Sequence, residues 1–430
     1  MKTACYLLYN ILLLILLFVT TPFLAVYLFF KPKRRKEWME RFTPHIEEGL
    51  GDSPRFWIHA ASVGEGAAAA PLIRRLISMQ GSSHLLFTSM TSTGRDLMRK
   101  RFPELQVRLF PLDILSIVLR SLKRWNPTVV ILYESELWPN FLLAARMLKI
   151  PVVVFNGSLS ARSYRRFRRF RWLAYPLLEL VAHFGVQDKE IQHRLADLGV
   201  PLDRISVTGN TKLDSWGDFV SSAKEVPLRF LERGEWWVAG SVRTGEPEVI
   251  LQAYSQLRKD FPDLRLVLAP RHLERVPDFI EKTRSFGFKP LRRSELNGSR
   301  PLSEAEVLIL DTLGELIQFY RYASVVFVGG TLVPVGGHNL FEPALLGKPV
   351  LFGPYTSEVG EARDLLLRTG LGKEVGKVED LIREIRQILW APDLAQQAFQ
   401  RTLMEVRQMA GATDRNLQLL DPFLDRQGVS

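Results

Sequence analysis

From residue 56 onward, short apolar runs alternate with longer stretches whose apolar positions recur at helical spacing. The runs FWIHAA (56–61), HLLFTS (84–89), VRLFP (107–111), TVVILYES (128–135), VVVFNG (152–157) and FGVQ (184–187) read as buried strands. Stretches such as GAAAAPLIRRLISMQ (66–80) and STGRDLMRKRF (92–102) read as helices between them. Steady alternation of this kind predicts an α/β fold, a parallel sheet with helices on both faces. The polar, turn-rich stretch VTGNTKLDSWGDF (207–219) breaks the rhythm. It restarts with WWVAGS (236–241), RLVLAP (265–270), VLILDT (307–312), SVVFVGG (324–330) and PVLFGP (349–354). The pattern therefore predicts two doubly wound halves joined near residues 210–220. Ligands of open parallel sheets bind beyond the carboxyl ends of the strands, so two halves facing each other would form a cleft.

Ahead of residue 56 the pattern is different. Tyr6 to Phe30 contains no charge and, as a helix, would be about 37 Å long at 1.5 Å per residue, enough to cross a bilayer. KPKRRK (31–36) follows, against one lysine before the stretch, and this asymmetry predicts that the rest of the chain is cytoplasmic. A cleaved signal peptide fits less well, because its apolar core is shorter and its basic residues come first. Pro22 is the expected kink. These features divide the chain into an anchor with its basic flank (1–36), a first half (37–212) and a second half (213–430).

Composition narrows the chemistry. A length of 430 residues suits two cores, and 47% hydrophobic with 24% charged residues is globular. The single cysteine, Cys5, excludes an internal disulfide framework and a cysteine-rich metal cluster. The net charge of +11 calls for an anionic partner: nucleic acid, membrane or a phosphorylated substrate. RSYRRFRRFRW (162–172) interleaves six arginines with aromatics. It is either a solvated helix face or a surface for anionic headgroups, and beside a membrane anchor lipid fits better than nucleic acid.

Polar residues gather where strands end. HAASVGEG brings Glu65, YESELWPN brings Glu134, Glu136, Trp138 and Asn140, and GNTKLD brings Lys212. The second half adds GSVRTGE (240–246), APRHLER (269–275), DTLGELIQFY (311–320) and the glycine-rich stretch around His338, Asn339 and Glu342. Glu65 fits a helix-capping position and equally a general base at the sheet's edge. Glu134 and Glu136 alternate, which predicts that only one faces the cleft. Arg271 suits either a neighbouring carboxylate or a phosphate. His338 and Glu342 have i, i+4 spacing, but without an HExxH pattern a helix cap receiving an anion or ribose is the better reading than a metal pair. GxxxxGK[ST], GxGxxG and GxSxG are absent, which disfavours P-loop nucleotidases, nicotinamide dehydrogenases and serine hydrolases.

WIHAASVGEG, TSMTSTG, Pro111 with Asp113, ESELWPN, LSARS, VQDKEIQHRLADLGV, GNTKLD, PRHLER, GEL and VGGHNLFEPA occur in one order between about residues 56 and 354. In this order they resemble the bacterial Kdo (3-deoxy-D-manno-octulosonic acid) transferases. The resemblance implies a GT-B glycosyltransferase of two Rossmann-like domains, an acceptor-binding one and a CMP-binding one, with an N-terminal membrane anchor. It implies an inverting transfer from CMP-Kdo to a bisphosphorylated lipid A precursor, with no metal or other cofactor, on the cytoplasmic face of a bacterial inner membrane crossed once. Membrane and anionic lipid would be partners and nucleic acid would not. Glu65 would be the general base, Glu136 the transition-state carboxylate with Glu134 as its substitute, and Lys212 the transition-state lysine. CMP contacts would fall on Pro270, Arg271, Gly314, Glu315, Leu316, Asn339, Leu340, Phe341 and Glu342, with the glycines letting backbone approach the nucleotide.

The chain departs from the family pattern at Thr331, at Ser158 in NGSLS, and in GPYTSEVGEA, where Tyr355 stands for a histidine. These loops keep two other readings open: a GT-B enzyme using another nucleotide sugar on a membrane lipid, and an anchored binding protein.

Overall fold

The computed structural model describes residues 2–42, 55–134, 136–214, 234–296 and 306–424. Much of the expected junction, from residue 215 on, and Ser135 lie outside them. The chain divides into two compact units, Met1–Ser215 with Met409–Ser430, and Trp216–Gln408.

The first unit holds a seven-stranded parallel sheet. Its strands are β1 (Phe56–His59), β2 (Leu85–Ser89), β3 (Gln106–Leu109), β4 (Val129–Tyr133), β5 (Val152–Gly157), β6 (His183–Val186) and β7 (Ile205–Val207). They lie in the order β3-β2-β1-β4-β5-β6-β7, so the chain reverses direction across the sheet between β1 and β4. Every residue of β1, β2, β4 and β5 is buried, as continuous apolar runs require when both faces are covered. Trp57, Val130, Leu132 and Val154 face one core layer. Their neighbours Phe56, Ile58, Ile131, Tyr133 and Phe155 face the other, against helix Val63–Gln80.

The second unit repeats the plan with β8 (Glu235–Val242), β9 (Leu264–Pro270), β10 (Lys289–Arg292), β11 (Glu306–Ile309), β12 (Val325–Val328), β13 (Val350–Phe352) and β14 (Gly372–Glu374). The order is β10-β11-β9-β8-β12-β13-β14, again all parallel. Each strand end read from the sequence is present. The additional strands β7, β10 and β14 are short, and β10 and β14 are polar edge strands.

One boundary differs from the sequence reading. The second half was expected to run to residue 430, but the chain from Met409 on belongs to the first unit. Helix Ala412–Gln418 is tied there by Gly411 N donating to Asp214 Oδ1 (2.7 Å) and Arg415 Nε donating to the Thr208 carbonyl (2.7 Å). Leu420 completes the core over Phe155 and Leu76. The N-terminal segment forms helix Lys2–Phe29, with Pro22 inside it, followed by helix Pro32–Phe42. Tyr6–Phe29 is long and apolar enough to cross a membrane.

Candidate active site

In the first unit the site grows from the reversal point between β1 and β4. After β1 the chain turns into helix Val63–Gln80, whose N-cap is Ser62. Ser62 Oγ accepts from Glu65 N (3.2 Å), and Glu65 answers by accepting from Ser62 Oγ (2.9 Å) and Ala61 N (2.8 Å). This reciprocal arrangement is a capping box, shifted by one residue because the carboxylate takes the Ala61 rather than the Ser62 amide. Glu65 is therefore a helix cap in this structure, one of the two roles its sequence position allowed. Its carboxyl is also held above the usual range, first by burial and then by the nearby Glu134 charge, with Glu136 adding less.

β4 ends at Tyr133, and Glu134 takes a left-handed backbone (φ 60°). That turn overturns the alternation argument, since Glu134 and Glu136 no longer sit on one extended strand and both act on Glu65. Lys212 Nζ lies 2.9 Å from Glu134 Oε1, so the predicted lysine is paired with the carboxylate held in reserve. Glu136 instead accepts from the indole of Trp138 (3.0 Å), and burial raises its pKa. Three carboxylates and one ammonium thus share the mouth of this sheet.

In the second unit Pro270 is the last, buried residue of β9, and Arg271 follows it on the surface. The Arg271 charge acts on His338 and on Glu342. Gly314 (φ 84°) has open space where a Cβ would stand. Glu315 caps helix Leu316–Tyr322 from position and pairs with Arg293 Nη2 (2.9 Å). Asn339 accepts from Phe341 N (3.0 Å) and donates to Glu342 Oε1 (3.2 Å) at the start of helix Phe341–Leu345, whose N-cap Leu340 and first residue Phe341 are buried. Burial raises the Glu342 pKa.

Two residues of GSVRTGE (240–246), to which the sequence assigned no role of their own, organise this half. Glu246 is fully buried and accepts four backbone amides: Arg243 (2.7 Å), Gly330 (2.9 Å), Thr331 (3.1 Å) and Leu332 (3.0 Å). It ties the loop after β8 to the glycine loop after β12. A Cβ on Gly329 would stand 2.6 Å from the Ser241 carbonyl, and one on Gly353 2.2 Å from that of Thr331. These two glycines serve close approach of the protein's own loops. Arg243 is the second. Its Nε donates to His338 Nε2 (3.2 Å) and its Nη1 lies 2.6 Å from His272 Nε2. Burial, Arg271 and Arg243 push the His338 pKa down to about 4, so the imidazole is neutral at pH 7. Arg243, Arg271, His272 and His338 form an electropositive cluster suited to an anion. The signal for Arg243 was its place in the loop after the central strand. Among the described residues no group of three or more His, Cys, Asp or Glu side chains is arranged to hold a metal.

Residues 36–215 match the family model for 3-deoxy-D-manno-octulosonic-acid transferase. A 3-deoxy-D-manno-octulosonic acid transferase of Haemophilus influenzae is 32% identical over 405 residues, covering 92% of this chain and 93% of its own. The chain belongs to the Kdo transferase family. A Kdo transferase of Aquifex aeolicus is 30% identical over 82% of this chain and 91% of its own. A bifunctional glycosyltransferase/methyltransferase of Fusobacterium nucleatum is 30% identical over 85% of this chain, which spans only 57% of that relative. Among solved structures, UDP-GlcNAc 2-epimerase from Neisseria meningitidis aligns over 86% of this chain and all of its own (TM-score 0.62, 16% identity). A Rickettsia africae glycosyltransferase aligns with TM-score 0.60 at 14% identity, over 87% of this chain and 99% of its own. These likenesses show the GT-B fold that the Kdo transferase family implies. Like its relatives, this member is a glycosyltransferase.

Proposed function

We propose that this enzyme transfers Kdo from CMP-Kdo to a lipid A precursor in lipopolysaccharide synthesis, with inversion and without a metal cofactor. The observation that carries the catalytic half is Glu65, a half-buried carboxyl with a raised pKa at the sheet's reversal point. Ionised, it accepts the proton of the acceptor's primary hydroxyl as that oxygen attacks the anomeric carbon of Kdo. The bond from that carbon to the CMP phosphate breaks, and the electron pair leaves with CMP. Lys212, held by Glu134, supplies a positive charge to the transition state. We assign the transition-state carboxylate to Glu134 rather than Glu136 because Glu134 makes that pair.

The donor carries two anionic groups, a phosphate and the carboxylate of Kdo, and the second unit carries two clustered arginines. We assign Arg271 to the phosphate and Arg243 to the sugar carboxylate, with His338 and His272 fixing the Arg243 fork. Gly314, Glu315, Asn339 and Glu342 fall to the nucleoside. The acceptor, itself phosphorylated and lipidic, fits the basic surface and the N-terminal apolar helix on the cytoplasmic face. Thermal unfolding with nucleotides tests the donor. CMP is expected to raise the midpoint and UDP to leave it unchanged; stabilisation by UDP alone would overturn the reading.

A further inference from the structure

The two ends of the N-terminal hairpin meet the first unit at the same place. Tyr9 OH donates to Asp113 Oδ2 (2.8 Å), and Leu112, the residue before, donates its amide to the Arg41 carbonyl (3.2 Å). Around the first contact, Asn10 and Asn140 exchange amide hydrogen bonds (3.0 and 2.9 Å), and Tyr6 OH donates to the Pro176 carbonyl (3.1 Å). Around the second, Glu40 accepts from Leu109 N (2.9 Å) and Arg41 Nη1 donates to the Phe110 carbonyl (3.2 Å). Asp113 and Asn140 are buried, and Asp113 Oδ1 and Oδ2 also accept the amides of Phe141 and Asn140 (2.8 and 3.0 Å). Three polar side chains near the start of an otherwise apolar helix, Tyr6, Tyr9 and Asn10, are thus matched to a prepared polar seat.

A spanning helix cannot satisfy both sets of contacts. Tyr9 to Phe29 covers about 30 Å, the thickness of the hydrocarbon core. Crossing would put Tyr9, with Asp113 and Asn140, in one water phase and the basic run from Lys31 in the other. Yet Arg41, ten residues past Lys31, is bonded to the neighbour of Asp113, and consecutive Cα atoms are only about 3.8 Å apart. The helix also has one protein-facing stripe, Tyr6, Tyr9, Asn10, Leu13, Leu17, Leu24 and Leu28, all half-buried. Its other side, including Leu14, Phe18 and Phe23, is bare. Beside its seat, helix Arg171–Leu178, which carries Pro176, exposes Trp172 and Leu173 next to the arginine-rich helix Ala161–Arg169.

We propose that the apolar helix enters the bilayer from the cytoplasmic face and returns to it, in place of the single crossing that the sequence predicts. It inserts its bare side into one leaflet, with Trp172 and the arginines at the headgroups. This rests on the membrane association proposed above.

The test uses the full chain with an epitope tag at its N-terminus, expressed in a Gram-negative bacterium. Protease is added to sealed spheroplasts and, separately, to sealed inverted membrane vesicles, and a separate portion of the membranes is extracted with carbonate. The tag should be removed only in inverted vesicles, on the same face as a C-terminal tag. A parallel Cys5→Ser, Asn10→Cys, Asn140→Cys variant should form a disulfide in membranes. Loss of the N-terminal tag in spheroplasts would overturn the proposal. Release of the chain by carbonate would instead overturn the membrane reading on which it rests.

Discussion

Glu65 joins two jobs that compete for the same carboxylate. As a cap it accepts two hydrogen bonds that favour its ionised form, while burial and Glu134 favour the neutral form more strongly. The net upward shift sets the sign of the pH response. A base works when ionised, so kcat/KM should fall as pH drops through this raised pKa and stay level above it. Glu134→Gln removes one of the charges that raise it, so the acid limb should move to lower pH; a limb that stays or moves up would contradict the assignment. Arg243 makes a separate prediction. Arg243→Gln should weaken CMP-Kdo binding about tenfold, or about 1.4 kcal/mol, and leave CMP itself nearly unaffected in calorimetry. Equal losses for both ligands would place Arg243 on the phosphate instead.

At the scale of elements, the buried parallel strands were legible because both their faces are covered, which makes them continuous apolar runs. Lys289–Arg292 and Gly372–Glu374 were not, since edge strands mix charge and glycine and take their pairing from a neighbour. The alternation placed on Glu134 and Glu136 failed for a related reason: the strand stops at Tyr133 and a left-handed residue follows, which side-chain spacing does not encode. Strand-end motifs brought Glu65, Lys212, Arg271 and Asn339 into view. The role of Glu246 stayed hidden because three of its four partners are backbone amides some 84 to 86 residues away. Its loss should matter more to the fold than that of any cap. Glu246→Ala leaves two buried and two part-buried donors short of an acceptor and should lower urea stability by on the order of 4 kcal/mol. Glu65→Gln should cost at most about 1 kcal/mol. Comparable losses for the two would refute the bracing role of Glu246.

For the whole molecule, the net charge of +11, the arginine-rich helix and the apolar N-terminal helix support the proposed bilayer with its anionic lipid. The proposed reaction brings a water-soluble donor to a membrane-bound acceptor, and a chain seated on one leaflet, as proposed, would meet both from the same side. Kdo transfer with Glu65 as its base can be read by mass spectrometry of a bisphosphorylated lipid A precursor incubated with freshly generated CMP-Kdo and either the wild-type enzyme or Glu65→Gln. A mass gain of one or more Kdo units is expected with the wild type. With Glu65→Gln the rate should be lower by at least roughly a hundredfold, the usual worth of a general base, from a protein that still binds CMP. No gain from folded, CMP-binding wild type would refute Kdo transfer, and an undiminished gain from Glu65→Gln would refute Glu65 as the base.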